Sequence, residues 1–238
     1  MSHITISDIK IDVVRKNIKN IHLSVHPPNG RVRISVPNQL NEDAIRLYTI
    51  SKLGWIKKQQ RKFEGQERQT PREYKDRESH YFQGKRYLLN VIESNSTPKA
   101  NLRSVKYIDL YVRPGSTVEK KEAVLNKWYR DRLREIIPDI ISKWEKILNV
   151  EVKEFGIKQM KTKWGTCNTK AKRIWINLEL AKKPLHCLEY IVVHEMVHLL
   201  ERHHNERFLA YMNKFIPQWK QYKRELNRFP VSHSEWGY

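Results

Sequence analysis

Apolar side chains fall at every second position three times within the first 37 residues, in "DIKIDVV" (8–14), "NIHLSVH" (20–26) and "RVRISVP" (31–37). A period of two marks half-buried strands of the antiparallel kind. Between the second and third runs, "PPNG" (27–30) predicts a turn, because Asn-Gly accepts positive φ at little cost. The period then lengthens. Ala44, Leu47, Ile50, Leu53 and Ile56 recur at helical spacing behind Asn41, a suitable N-cap, and Glu42 and Asp43 complement the helix dipole.

A polar stretch, "GQERQTPREYKDRES" (65–79), reads as an exposed connection. Strand-like pieces return at 81–82, 87–92 and 105–112. A long helical pattern starts near Ser116 and Thr117, with Glu119 placed to complete a capping box, and Pro138 is expected to split it into two helices. Strands are expected at 150–157 and 173–178, with "KWGTCNTKAKR" (163–173) as the turn between them and helices to the end. No internal repeat is visible. The fold class is therefore α+β, with a β-rich region carrying one helix over residues 1–115 and a second region over 116–238.

Composition narrows the setting. The 238 residues suffice for a sizeable core, and 7 Trp, 11 Tyr and 6 Phe supply bulky packing material. No apolar run reaches the roughly 18 residues that a membrane span needs, and "MSHITISDIKIDVVRKN" lacks a signal-peptide pattern. Two cysteines, Cys167 and Cys187, fit a reducing compartment. A cytoplasmic protein without membrane partners is the expectation. Lys+Arg 46 against Asp+Glu 26 gives a net charge of +20, which would draw acidic or phosphate-rich partners, nucleic acid among them. The basic residues are spread along the chain rather than gathered into an arm.

The candidate chemistry lies in "YIVVHEMVHLLERHHNERF" (190–208). His194 and His198 are four apart, so on a helix both imidazoles share one face and can meet one zinc ion. Glu195 lies off that pair, where its carboxylate can reach a water at the metal rather than compete for it. This is the HExxH arrangement. A catalytic zinc usually takes three protein ligands and keeps one position open. His204 lies six residues beyond His198, about 240° around a continuing helix, so the helix must end between them. Asn205 can cap a new helix that begins with Glu206 and buries Phe208. His204 is then the preferred third ligand, with His203 the competing choice and Glu201 or Glu206 as carboxylate alternatives.

Together with "WGTC" (164–167), "IWINLEL" (174–180), "PQWK" (217–220), "RKNIKNIHLSV" (15–25) and "GRVRISVP" (30–37), this stretch resembles the YgjP-like metallopeptidase domain, related to SprT-like and WLM proteins. The family pattern places Asn-His after the HExxH. Here His203–His204 stands there, so the Asn position departs while the histidine is kept. The resemblance implies a zincin-like core, a zinc cofactor and a polypeptide substrate. Glu195 would be the catalytic base, and His194, His198 and His204 the metal ligands.

Other residues are assigned from their surroundings. "RIWINLEL" (173–180) is the candidate strand for pairing with an extended substrate, and Trp164 a packing residue beside the cleft. Cys167 and Cys187 read as small packing thiols, although a thiolate from Cys167 would make a zinc site structural. Tyr190, His186 and Arg202 are candidates for stabilising an oxyanion. Two rival readings stay open: a basic nucleic-acid-binding protein with structural zinc, and a protease associated with DNA.

Overall fold

The Ile and Val alternation is realised as a four-stranded sheet, with β1 (Ser2–Ile6), β2 (Ile9–Lys16), β3 (His22–His26) and β4 (Arg31–Pro37) in the order β1-β2-β4-β3. The computed structural model describes residues 2–26, 29–64, 72–160 and 163–228, and packing divides the chain into one unit within Met1–Arg68 and another within Gln69–Ser232. Antiparallel pairing, expected throughout the first sheet, holds for β1 with β2 and β3 with β4. By contrast, β2 and β4 run parallel, with Ile11 opposite Val32 and Val13 opposite Ile34. The hairpin through Asn29 and Gly30 (φ 66°) puts β3 on the outside, which leaves the buried face of β4 beside that of β2. Pro27 and Pro28 of the expected turn lie outside the described residues.

Asn41 caps α1 (Glu42–Ser51), its side chain accepting from the Ala44 amide at 2.8 Å. The helix ends at Lys52, and α2 (Leu53–Glu64) follows. Ile45, Thr49 and Ile56 are buried, whereas Leu47 and Ile50, expected on the apolar face, are exposed.

The second unit opens with β5 (Ser79–Phe82), β6 (Lys85–Glu93), β7 (Lys99–Leu102) and β8 (Tyr107–Val112), in the order β5-β6-β8-β7. Its pairings are antiparallel, parallel and antiparallel in turn. This is the topology of the first sheet again, down to a two-residue hairpin turn whose first residue has positive φ, Ser7 in one and Gln83 in the other. The chain therefore contains a structural repeat that its sequence does not display, because the burial pattern is kept while the residues differ. Within the stretch expected to be an exposed connection, residues 65–71 are outside the described set, Tyr74 is buried, and Ser79 begins β5.

Next comes α3 (Val118–Leu148), capped by Thr117 rather than Ser116 and continuous through Pro138. Proline removes one backbone hydrogen bond. Here the buried series Leu125, Trp128, Leu133, Ile137, Ile141 and Trp144 crosses it without a break, so packing holds the helix together. These residues share one core with residues of β5, β6 and β8.

A third sheet contains β9 (Glu154–Lys158), β10 (Gly165–Asn168) and β11 (Arg173–Asn177), ordered β10-β11-β9. Thus the stretch read as a turn holds a strand. After a short 3-10 helix (Leu178–Lys182) come α4 (Leu185–Val197), α5 (Glu206–Phe215) and α6 (Trp219–Arg228). Among the described residues, no helix is long and apolar enough to cross a membrane.

Candidate metal centre

Helix α4 is apolar on nearly every side because it is packed on nearly every side: Leu188, Val192, Val193, Met196 and Val197 are all buried. Across to α3, Glu189 accepts from Lys143 Nζ (2.7 Å) and Trp144 Nε1 (2.8 Å). Towards α6, His186 Nε2 meets Glu225 at 2.6 Å. These ties fix the helix that carries His194, Glu195 and His198. The helix ends at Val197 with His198 as its C-cap, and Asn205 caps α5 by accepting from the Phe208 amide at 3.0 Å. The eight-residue link between α4 and α5, residues 198–205, is what brings His204 back.

His194, His198 and His204 come together, each offering one ring nitrogen, with the three donor atoms within 4.8 Å of one another. The Nε2 atoms of His194 and His204 are 3.0 Å apart. His198 Nδ1 donates to the Glu201 carbonyl at 3.1 Å, a bond that leaves Nε2 as its lone-pair donor. Phe208 packs against all three rings, with centroids 4.9, 4.8 and 4.6 Å away. Burial of this side chain contributes roughly 2 kcal/mol to holding the α5 terminus in place.

Two observations test whether a metal fits. Tetrahedral zinc with bonds of ~2.0–2.1 Å needs ligand nitrogens ~3.3 Å apart, and the His194–His204 separation is already near that value. Burial, followed by repulsion from the other two imidazoles and Lys223, pushes the pKa of His194 down to about 3. Burial also lowers His198, partly offset by its bond to the Glu201 carbonyl. Both rings are neutral at pH 7, the form that binds metal. The donor set fits a zinc-sized ion. Among the described residues the group has three members. His203 is not one of them, and Glu201 instead accepts from the His203 amide.

Glu195 is buried at the wall of a cleft of 950 Å³ that also contains the three histidines. Burial pushes its carboxyl up to about 8, against the opposing pull of Lys163. The opposite surface is Gly165, at the start of β10. A Cβ there would lie 2.7 Å from both Cγ and Oε1 of Glu195, so the strand approaches the carboxylate as closely as only glycine permits. Buried Asn177 fixes the approach to this strand, donating to the carbonyls of Met160 (2.9 Å) and Lys163 (2.7 Å).

The strand assignment requires a correction. β11, the core of "RIWINLEL", has β10 on one side and β9 on the other, so neither edge can take a substrate. β10 is the edge strand of this sheet that lines the cleft, β9 being the other edge. Its "GTCN" carries no alternation of apolar residues, so sequence reading missed it. Trp164 both packs on the core and lines the cleft. Cys167 lines it too, its thiol pushed up to about 11 by burial and by Glu195, and it does not join the histidine group. Cys187 is buried. Of the oxyanion candidates, Tyr190 and Arg202 line the cleft, whereas His186 is engaged with Glu225 outside it.

Against known proteins, residues 19–229 match a family model described as YgjP-like, metallopeptidase domain. Among solved structures the chain is similar to the metallopeptidase zymogen of Pyrococcus abyssi abylysin, at 20% identity and a TM-score of 0.36, covering 40% of this chain and 100% of that one. It is also similar to the zymogen of Methanocaldococcus jannaschii jannalysin, at 23% identity and a TM-score of 0.34, covering 38% and 92%. No curated protein sequence matches significantly. On the family match over 19–229, the chain belongs to the YgjP-like family and carries its metallopeptidase domain.

Proposed function

We propose that the protein is a zinc-dependent peptidase in which His194, His198 and His204 hold the metal and Glu195 is the general base. The convergence of three imidazole nitrogens beside a buried carboxylate, in a cleft bounded by an edge strand, carries this reading. A three-ligand set also favours a catalytic over a structural site, since structural zinc is usually closed by four protein ligands.

When bound, zinc supplies Lewis acidity towards a peptide carbonyl and acidifies water. The side chains and backbone do the rest. The outer edge of β10 offers main-chain donors and acceptors to an extended polypeptide, which aligns the scissile bond across the cleft. In its ionised form, Glu195 accepts the proton of the attacking water on its carboxylate and returns it to the leaving amine. Gly165 sets the distance between that carboxylate and the substrate strand. Phe208 keeps water away from the far side of the imidazoles.

The reading is tested by incubating purified protein with a broad peptide library. Cleavage should stop with a chelator and return with added zinc. A zinc-loaded protein inert on every peptide would overturn it. A second expectation follows from the close approach at Gly165. Gly165→Ala should fold and retain zinc yet lose about 10²-fold in activity, because displacement of the base by about 1 Å is costly. Unchanged turnover would mean that β10 and Glu195 do not act together.

A further inference from the structure

The charges around the cleft are one-sided. Lys163 precedes β10 and Lys170 follows it, Arg202 lies between α4 and α5, and Lys223 is on α6, so cations stand on several of the surrounding elements. Glu195 is the sole acid among the lining residues described. No described carboxylate pairs with any of the four cations, and Lys163 and Lys223 act electrostatically on Glu195 and His194 respectively. Elsewhere on the same sheet the pattern differs. Lys172 pairs with Glu151 at 2.9 Å and Arg173 with Glu154 at 2.5 Å, so charges at β9 and β11 are neutralised where those at the cleft are not.

We infer that the cleft selects an acidic polypeptide segment, with Asp or Glu on both sides of the bond presented to Glu195. This rests on the peptidase reading above and adds the substrate class. Cations without a carboxylate ion pair in a concave site, Lys223 among them with its Nζ 5.8 Å over the Trp219 ring, concentrate field lines and favour a negatively charged ligand. A nucleic acid would satisfy the charges too. It lacks the alternating N–H and C=O groups that an open strand edge pairs with. An acidic peptide satisfies the edge with its backbone and the cations with its side chains.

The test measures binding, so it does not depend on turnover. Full-length Glu195→Gln protein, loaded with zinc, is titrated against fluorescein-labelled octapeptides with glutamate at alternate positions, and against the same peptides with glutamine, at 150 mM salt. The glutamate peptide should bind at least about tenfold more tightly. Reversing Lys170→Glu and Lys223→Glu together should remove that preference. The control, Lys120→Glu with Lys146→Glu on exposed positions of α3, has the same net charge and should keep it. Equal binding of the two peptides, or equal loss in the control pair, would overturn the inference. So would a single-stranded oligonucleotide of matched charge that binds more tightly through Lys170 and Lys223, which would assign the cleft to nucleic acid. Failure of the peptidase reading appears separately, as wild-type protein that binds the acidic peptide selectively and cleaves nothing.

Discussion

Glu195→Gln should reduce peptide hydrolysis by about 10²–10⁴-fold, the range typical of a general acid–base group, while zinc content and melting temperature stay near wild type. The choice of glutamine follows from the packing. Glu195 is only 5% exposed and lies against Gly165, so a truncation would leave a cavity and confuse lost chemistry with lost structure. Glutamine fills the same volume under β10 and loses only the ability to take a proton. Zinc per chain, thermal melts and kcat/KM on one cleaved peptide are the three readouts. Full activity in the variant would remove Glu195 from the base role, whereas loss of zinc along with activity would make it a support for the metal instead.

The legible parts of this chain are those in which one element settles its own pattern. Ile9, Ile11 and Val13, or Val32, Ile34 and Val36, announce strands because the apolar residues at every second position are the buried ones. The end of α4 and the start of α5 were readable for a different reason. Asn205 can satisfy the first amides of a helix, and its position decides that His204 lies outside one. What escaped depends on partners distant in sequence. Parallel pairing of β2 with β4 reflects which strand takes the outer place, and nothing within either run records that. Pro138 looks like a break until Ile137 and Ile141 are seen buried in a shared core. β10 is short, glycine-led and polar, and only its neighbours β11 and Glu195 make it a strand at a cleft. The motif was therefore visible while the walls around it were not. Lys163, Lys170 and Lys223 are scattered over 60 residues of sequence, among 46 lysines and arginines, and only folding separates them from the rest.

Metal binding should be the property most sensitive to His204. Among the three histidines, His194 and His198 are partly buried on or at the end of a packed helix, so replacing either would also disturb α4. His204 is exposed, in the link before α5, and its removal leaves the Asn205 cap and the burial of Phe208 in place. His204→Ala should therefore fold like wild type without metal, yet bind zinc more weakly by upwards of about 100-fold, since even residues that only orient a ligand cost 10–100-fold. Stability gives a second readout. A ligand at 100 times its Kd stabilises the folded state by about 2.7 kcal/mol, so wild type should melt higher with zinc and the variant should gain almost nothing at the same concentration. His203→Ala provides the matched control, because His203 lies next in sequence and outside the converging group. If His203→Ala abolished the zinc-dependent gain while His204→Ala preserved it, the link between α4 and α5 would have to present the other imidazole, and the third ligand would be reassigned. If neither did, a carboxylate such as Glu201 or Glu206 would be the next to replace.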